Sequence, residues 1–364
     1  SLPSHRMLDK AGTLGQAPGL SSEGLLGAAR YTDAQVAYPE RLTVENALDA
    51  EAAGAVLLTY HRADRLLTAA GQVCGLRIVD TQGRAQELVT GIVINAAGPW
   101  VDEVLSSLGV SAGPYMGGTR GTHIVVGHFD GAPASGCYVE ASSDGRPFFI
   151  LPGLGRLLIG TTDIRQAGDP DRARADRAEI DYLLEETNRV FPRASLGHRD
   201  IQFHYTGVRP LPRQDRRSAG AITRRHLLER HRRVARGLYS VIGGKLTTYR
   251  SLAEQAVDKA VRQAGLRKAK CLTRDRALPG AVELEDARGR LSRNDAISSA
   301  CSERLLSVYG SRAADIAEQA ASGFVDGKET VLAAEVDHAI DNEFAASLID
   351  ICLLYTSDAA DDVS

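Results

Sequence analysis

The chain has 364 residues, 43% hydrophobic and 24% charged, with a net charge of −3 at pH 7. This length allows two or three domains with sizeable cores, and the composition is typical of a globular protein. The small net charge gives no global reason to expect nucleic acid as a partner, and no apolar run reaches the roughly 20 residues of a membrane span.

The five cysteines are scattered through the chain without a C-x-x-C pair. This arrangement argues against both a disulfide framework and a zinc site, and it favours a reducing cytoplasm. The histidines show no H-E-x-x-H spacing, so no metal site is predicted. Each histidine is interpreted as structural or exposed.

The first 110 residues predict a loop-rich start, one helix and a small sheet. Residues 1–40 are rich in Gly, Ser, Pro and Ala and predict loops with short helices, passing into a strand near 24–31. The pattern at 41–53 predicts an amphipathic helix. Strand-like runs at 55–60, 73–80 and 87–94 predict an antiparallel meander.

The last of these runs ends in small residues, Asn95–Gly98, and a helix is predicted at 101–108. Small residues after a buried strand allow a ligand or another backbone to approach closely. A tight crossover against a well-packed helix is the structural alternative.

Residues 115–163 predict an antiparallel sheet with strands at 122–126, 137–140, 147–151 and 156–160. Turn residues at 144–145 and 153–155 predict hairpins. The sheet ends in Gly160–Thr161–Thr162–Asp163, which is either an Asx or ST turn or part of a ligand site. A helix at 176–190 and a strand at 203–211 that stops at Pro210 follow.

An arginine-rich segment runs from Arg209 to Arg236, with ten arginines against two acidic residues. Such an excess of positive charge can bind RNA, an anionic membrane surface or an anionic substrate. The segment holds few aromatic residues to stack on bases, which disfavours nucleic acid. Most of these arginines are interpreted as a solvated face, but Arg209 differs because it lies at a strand end.

The stretch 238–250 predicts a buried strand, a Gly243–Gly244 turn and a helix that begins at Leu246 and runs past Val257. Free backbone N–H groups at a helix N-terminus form an anion site. Lys245 adds a positive charge there, while an ordinary strand-to-helix turn is the structural alternative. A Walker phosphate loop is excluded, because Tyr239 replaces its first glycine and Leu246 follows the lysine.

From about residue 273 the chain predicts only helices, at 282–291, 300–309, 313–320 and 331–348. No dense group of catalytic residue types occurs there, so this segment is interpreted as a separate helical domain. Residues 353–364 are polar and rich in Asp, and they predict a disordered tail.

Taken together, the motifs resemble those of the FAD-dependent glycerol-3-phosphate dehydrogenases. They are RYTDAQV at 30–36, NAAGPW at 95–100, GTHIVV at 121–126, DGRPFFILP at 144–152, LLIGTTD at 157–163, YTGVRPL at 205–211, AITR at 221–224 and IGGKLTTYR at 242–250. As an ordered set they are specific, although each one alone is weak.

The resemblance implies an α/β (α+β) fold in three parts: an incomplete glutathione-reductase-type FAD domain, an antiparallel β substrate domain and a C-terminal all-helical domain. The implied FAD domain comprises residues 1–110 and 206–268. The substrate domain comprises residues 111–205, and the helical domain residues 269–352. Residues 353–364 are a tail that does not match the family.

The resemblance also implies which residues bind cofactor and substrate. Arg209, Arg224 and Lys245 match the family's substrate-binding residues, and Arg209 and Lys245 are the implied catalytic pair. Guanidinium groups suit a phosphate dianion, and a lysine beside a flavin stabilises charge as the substrate hydroxyl loses its proton. The implied FAD-binding residues are Ala63, Asn95, Ala96, Ala97, Gly98, Pro99, Trp100, Gly243, Gly244, Lys245, Leu246, Thr247 and Thr248.

The implied reaction oxidises sn-glycerol 3-phosphate to dihydroxyacetone phosphate by hydride transfer to FAD, with a quinone as electron acceptor. A homodimer and a peripheral contact with the inner face of the cytoplasmic membrane stay open. Two alternatives remain. One is a glycerol-3-phosphate oxidase or another amine or hydroxy-acid oxidase, and the other is a non-catalytic module that binds an anion through residues 209–236.

The sequence departs from the family pattern at its start. The family's strand–GxGxxG–helix unit, which holds the FAD pyrophosphate, is not found, because Gly12, Gly15 and Gly19 have the wrong spacing and are not predicted to follow a strand. We therefore expect a fragment that is inactive alone, with the catalytic base in a missing N-terminal segment.

Overall fold

The computed structural model describes residues 3–214, 225–325 and 331–355, with side chains described through residue 353. It divides into two compact units. The mixed unit contains residues up to Asp33 and Tyr60–Cys271, and the helical unit contains Ala34–Thr59 and the chain from Leu272 onward. Residues 215–224, and with them Arg224 and part of the arginine-rich segment, lie outside the described residues, as do residues 356–364 of the predicted tail.

The described strands are numbered in chain order. They are β1 Arg6–Asp9, β2 Gly27–Arg30, β3 Arg62–Ala69, β4 Gln72–Val79, β5 Ala85–Val89, β6 Val93–Asn95, β7 Thr119–Val126, β8 Cys137–Glu140, β9 Pro147–Gly153, β10 Arg156–Gly160, β11 Ile164–Arg165, β12 Ile201–Arg209, β13 Leu227–Arg230 and β14 Leu238–Ile242.

The described α-helices are α1 Lys10–Gln16, α2 Pro39–Ala52, α3 Val101–Ser107, α4 Arg177–Val190, α5 Tyr249–Gln263, α6 Leu284–Leu291, α7 Ser299–Tyr309, α8 Ala313–Ala317, α9 Ala333–Asn342 and α10 Leu348–Asp350. Within the described ranges, no helix is both long and apolar enough to cross a membrane.

The largest sheet is antiparallel and follows the order β11-β7-β10-β9-β8, with β12 also paired to β7. Alternate residues of its strands, such as Ile124, Ile150 and Ile159, are fully buried in one core with Leu183 of α4. This alternation is the pattern of a sheet with one face covered by a helix. The predicted antiparallel sheet is therefore confirmed, and helix α4 lies over one of its faces.

Two smaller sheets form the rest of the mixed unit, with strand orders β3-β4-β5 and β13-β14-β6. The first is an antiparallel meander, as predicted for this region, but its strands match the predicted runs only in part. In the second, β14 and β6 are parallel, with Ser240 beside Asn95. Helix α3 buries Val101 and Leu105 in a core that also contains Leu238. Because parallel strands end at the same edge of a sheet, the turns after β6 and β14 leave from a common edge.

Two predicted strands of this region were wrong. Residues 55–60 form no strand, and the meander begins at Arg62 instead. The run 87–94 is two strands in different sheets, β5 beside β4 and β6 beside β14. Thr90 separates them, because its hydroxyl bonds to the backbone of Ile92. Apolar content alone therefore does not determine whether a run forms a strand, or which strand it pairs with.

The expectation that no strand precedes the early glycines was also wrong. Strand β1 leads directly into α1, and the Asp9 side chain caps this helix by accepting a hydrogen bond from the Gly12 amide at 2.8 Å. Gly12 and Gly15 lie inside the helix. They therefore do not form a glycine-rich turn between strand and helix.

The helical unit has one main core, in which Leu305, Tyr309 and Ile316 are almost fully buried. The predicted helix at 331–348 is shorter in the structure and ends at Asn342. A helical turn continues through residue 355, three residues past the predicted end of the domain at 352. The turn follows a capping box at Ser347, and Ile351 packs beside Val44 and Ala339.

Candidate functional site

The turn after β6 is closed by Asn95, which is buried. Its side-chain amide donates to the Val101 carbonyl at 3.0 Å, and its side-chain oxygen accepts from the Ala97 amide at 3.1 Å. Gly98 has a φ of 59°, a left-handed conformation that favours glycine. Asn95 therefore has a local role in shaping this turn, which leaves Ala96 at the surface.

The turn after β14 contains Gly243 and Gly244, with φ of 76° and 109°. A Cβ atom at Gly243 would also lie 2.9 Å from the Arg225 carbonyl oxygen. Only glycine satisfies both the backbone angle and this close approach. The predicted helix start at Leu246 is a 3₁₀ turn over Leu246–Thr248, and the α-helix begins at Tyr249.

Residues 245–248 are exposed beyond this turn. Among the described residues, Lys245 has no ion-pair partner, and it directly precedes the exposed 3₁₀ turn. The Thr248 hydroxyl donates to the Lys245 carbonyl at 3.1 Å, so part of its hydrogen-bonding capacity is used locally. Leu246 and Thr247 are exposed as well.

Ala63 belongs to the sheet β3-β4-β5, and Trp100 lies in the turn after strand β6 of the sheet β13-β14-β6. The indole Nε1 of Trp100 donates to Asp171 Oδ1 at 3.0 Å, and the side chain is 38% exposed. Pro99 is half-buried. Ala63 lies in β3, packs against the core around α3, and its carbonyl accepts from Ser107 Oγ at 3.1 Å.

Arg209 is half-buried at the end of β12, and acceptors from a second segment surround its guanidinium group. Nη1 donates to Asp163 Oδ1 at 3.1 Å, and Nη2 donates to Thr161 Oγ1 at 3.0 Å and to the Thr162 carbonyl at 3.2 Å. Thr119 Oγ1 lies 3.4 Å from Nη1. The cluster of hydroxyls and carboxylate at 161–163, for which two interpretations were open, thus contacts Arg209.

Space for the Arg209 side chain comes from Gly121 on the neighbouring strand β7. A Cβ atom at this position would overlap both Arg209 Nη2 and Thr161 Oγ1. Gly121 faces Gly207 across the strand pair, and Arg209 faces Thr119. The arginine therefore crosses the sheet surface over a residue that has no side chain.

A buried carboxylate supports the 161–163 turn from below. Glu179 of α4 is 2% exposed and accepts from Thr162 Oγ1 at 2.7 Å and from Thr122 Oγ1 at 3.0 Å. Arg120 Nε donates to the same carboxylate at 2.9 Å. Each of these donors offsets the cost of burying a charged group.

His123 belongs to this site although the sequence interpretation treated it as structural or exposed. Its ring stacks on Tyr205 with centroids 4.9 Å apart, and its Nδ1 is buried without a hydrogen-bond partner in the described structure. Burial, and secondarily the charge of Arg209, lowers the pKa of His123 from 6.5 to about 4. His123 lies two residues after Gly121 on β7, so both face the same side of the sheet. Because Arg209 crosses over Gly121, this alternation could have indicated that His123 lies near Arg209.

The structure thus brings several predicted residues together. Strand β12 lies beside the Gly98–Trp100 turn, and Pro212, three residues after Arg209, lies close to Gly243. The turns at 95–100 and 243–248 begin at the same edge of the sheet β13-β14-β6. Strand β12, which carries Arg209, contacts the first of these turns. Among the described residues, no group of three or more His, Cys, Asp and Glu side chains can hold a metal ion.

Family models match almost the whole chain. The model for FAD dependent oxidoreductases matches residues 1–250, and the model for the C-terminal domain of alpha-glycerophosphate oxidase matches residues 271–362. The second match extends into residues 353–362, which were expected not to match the family.

Individual relatives agree with these models. Glycerol-3-phosphate dehydrogenase of Synechocystis sp. is 41% identical over 97% of this chain and 67% of its own length. Aerobic glycerol-3-phosphate dehydrogenase of Staphylococcus haemolyticus is 32% identical over 70% of this chain and 45% of its own length. The chain thus spans about two thirds of the length of the first relative and less than half of the length of the second.

A solved structure supports the same fold. Glycerol-3-phosphate dehydrogenase from Bacillus halodurans complexed with FAD superposes with a TM-score of 0.80 at 27% identity, over 96% of this chain and 70% of that protein. The comparisons confirm the resemblance and the mixed α/β fold with antiparallel sheets and a C-terminal helical domain. The predicted domain boundaries and site residues stay predictions.

Proposed function

Because this chain belongs to the FAD dependent oxidoreductase family, we propose that the protein to which it belongs oxidises sn-glycerol 3-phosphate to dihydroxyacetone phosphate. The observation that carries this proposal is the position of Arg209. It lies half-buried on the sheet surface, with strand β12 next to the Gly98–Trp100 turn. A phosphate group that binds Arg209 would have its carbon chain close to this turn and to Lys245.

The turns at 95–98 and 243–248 fit a flavin cofactor. Glycines in left-handed conformations let the backbone approach a ring closely. The exposed segment 245–248 adds a cation and two hydroxyl groups. Asn95, Ala96, Ala97, Gly98, Pro99 and Trp100 would lie on one side of FAD, with Gly243, Gly244, Lys245, Leu246, Thr247 and Thr248 along the ring. When bound, FAD supplies the hydride acceptor.

The residues of the chain would bind and orient the substrate. Arg209 neutralises part of the phosphate charge, and Arg224, which lies outside the described residues, is proposed as a second arginine for the same group. Lys245 stabilises the negative charge that grows on the substrate oxygen as its proton leaves. Ala63 is proposed to line the adenine side.

The electron acceptor is proposed to be a quinone, because the two relatives described above are named dehydrogenases. A peripheral contact with the inner face of the cytoplasmic membrane and a homodimer belong to the same proposal. Transfer to oxygen is the second candidate, and it draws support from the match to the C-terminal domain of alpha-glycerophosphate oxidase. Stopped-flow reoxidation of the reduced protein with oxygen or with a soluble quinone distinguishes the two acceptors.

The proposal is tested on the protein to which this chain belongs, with its N-terminal FAD-binding unit present, by titration with FAD and then addition of glycerol 3-phosphate without oxygen. We expect a change in flavin absorbance on binding and bleaching of the flavin on reduction. Arg209→Ala should raise KM for glycerol 3-phosphate by at least about tenfold, while Arg199→Ala, at an exposed arginine of the same unit, should leave it unchanged. Retained anion binding with no flavin response would instead support the non-catalytic module.

A test of Lys245 separates binding from chemistry. Lys245→Met keeps a long apolar side chain but removes the cation, so we expect the rate of flavin reduction to fall by about a hundredfold. The affinity for FAD should change much less. An unchanged reduction rate under anaerobic conditions would contradict the role proposed for Lys245.

A further inference from the structure

We propose that Asp163 is a positioning residue, which holds the guanidinium group of Arg209 in the orientation that receives the substrate's phosphate. This inference rests on the proposed function and adds a residue to it. It is carried by the contact between Arg209 Nη1 and Asp163 Oδ1 at 3.1 Å, in which both side chains are largely shielded from water.

Asp163 acts together with the two residues before it. Arg209 Nη2 donates to Thr161 Oγ1 at 3.0 Å and to the Thr162 carbonyl at 3.2 Å. The two terminal nitrogens of one guanidinium group are thus bound by three consecutive residues of a single turn. Because guanidinium is planar, contacts on both nitrogens fix the plane of the group as well as its place.

The turn itself is fixed by the surrounding structure. Glu179, buried in α4, accepts from Thr162 Oγ1 at 2.7 Å, and that same oxygen accepts from the Thr122 amide at 2.9 Å. On the other side, Arg146 Nη1 donates to the Asp163 carbonyl at 2.7 Å. Helix α4, strand β7 and the loop before β9 therefore all restrain the residues that hold Arg209.

An arginine without such restraints loses the rotamer freedom of a long side chain each time it binds an anion. Asp163 removes much of this freedom before the substrate arrives. Its effect should therefore appear in substrate affinity and much less in the chemical step, since Asp163 itself is not required to contact the substrate or the flavin.

The test compares variants of the protein to which this chain belongs by calorimetric titration with glycerol 3-phosphate and with inorganic phosphate. We expect Asp163→Ala to weaken binding of both anions about tenfold, because the carboxylate that orients Arg209 is lost. Asp163→Asn retains an oxygen that accepts from Nη1, so it should stay within about threefold of the parent chain. Asp130→Ala, at an exposed aspartate paired with Arg193, is the matched control.

A second variant covers the case in which Asp163→Ala does not fold. Thr161→Val removes one of the two acceptors of Nη2 without creating a cavity, and it should weaken anion binding in the same direction. Thermal melting of each variant checks that the fold is retained. In the FAD-loaded protein, Asp163→Ala should raise KM while kcat stays within about threefold.

The outcomes separate the inference from the proposed function. If Arg209→Ala abolishes binding while Asp163→Ala and Thr161→Val bind like the parent chain, the positioning role is wrong and the role of Arg209 stands. If Arg209→Ala binds like the parent chain, or the parent chain binds neither anion, both proposals are wrong. Tighter anion binding in Asp163→Ala and Asp163→Asn than in the parent chain also contradicts positioning, since it would mean that the carboxylate acts on the anion mainly by repulsion.

Discussion

Gly121 shows how one residue without a side chain creates a binding position. Arg209 passes over it, and a Cβ atom there would overlap the guanidinium group and the Thr161 hydroxyl. The overlapping atoms belong to side chains and not to the backbone, so the fold should tolerate a small residue while the arginine is displaced.

We therefore predict that Gly121→Ala raises KM for glycerol 3-phosphate about tenfold with little loss of stability. Gly207→Ala is a closely matched control, because Gly207 faces Gly121 across the strand pair and has open space at its Cβ position. Steady-state kinetics of the two FAD-loaded variants checks this. Equal KM values in both would contradict the prediction.

The second residue-scale prediction concerns His123 and acid. Its pKa is about 4 in the folded protein against an ordinary value of 6.5, first because it is buried and second because Arg209 lies close. The unfolded chain therefore binds the proton more readily. The native state loses stability as the pH falls below about 6.5, by at most about 3 kcal/mol once the pH is below 4.

His123→Phe retains a flat ring beside Tyr205 and removes the titrating group. We expect the variant to gain stability relative to the parent chain when the pH is lowered from 7 to 4.5, measured by chemical denaturation at each pH. A stability difference that is the same at both pH values would mean that His123 does not cause this acid sensitivity.

Arg209 itself illustrates what could be predicted at this scale. Its residue type, its place at a strand end before Pro210 and the family motif were readable from the sequence. Its partners were not, because Asp163 and Arg209 meet only through the register of strands on either side of β7, 46 residues apart. Local sequence patterns carry no information about such a register.

At the scale of elements, helix α4 supports the site through its N-terminus. Asp176 caps the helix by accepting from the Glu179 amide at 2.9 Å, and the Glu179 carboxylate accepts from the Asp176 amide at 3.2 Å. This reciprocal pair is a capping box. It fixes Glu179, which in turn holds the turn that contacts Arg209.

We predict that Asp176→Ala lowers the free energy of unfolding by about 1 kcal/mol, the usual cost of losing an N-cap. The measurement is urea denaturation. Glu185→Ala, at an exposed position in the middle of the same helix, should change stability by less than about 0.5 kcal/mol. A loss in Glu185→Ala as large as in Asp176→Ala would argue against capping as the cause.

Elements with strong local signals were predicted well, and those that depend on distant partners were not. The apolar positions of α4 and the proline after β12 mark their bounds in the sequence, because helical spacing and a missing N–H act locally. Residues 55–60 have the composition of a strand but belong to none of the described sheets. Strand formation needs a partner strand, whereas a helix satisfies its own backbone.

At the scale of the molecule, the helical unit is assembled from two stretches that are far apart in the chain. Helix α2 joins the C-terminal helices through Arg41, whose guanidinium nitrogens donate to both oxygens of Glu343 at 2.6 and 2.8 Å. The two residues are 302 positions apart. No sequence pattern predicted this pairing, and residues 34–59 were expected within the FAD domain.

The Arg41–Glu343 pair is buried, and this determines what its loss should do. Glu343 is fully buried, and Arg41 is 5% exposed. Burial alone would raise the pKa of Glu343, but His338 and Arg41 outweigh it and hold the pKa at about 2. Since this value lies below the ordinary 4.5, the stabilisation is present above about pH 4.5 and is lost as the pH falls through 2.

We predict that Glu343→Ala lowers the free energy of unfolding of the helical unit by about 3 kcal/mol, because Arg41 keeps its charge in a site shielded from water and is left with the longer ion pair to Glu45 at 3.3 Å. Limited proteolysis with mass spectrometry should find new cleavage sites in α2 and α9. Glu318→Ala breaks an ion pair with Arg290 in which Glu318 is mostly exposed, so it should cost no more than about 1 kcal/mol. If the two variants were equally stable, the buried pair would not be what ties residues 34–59 to the C-terminal helices.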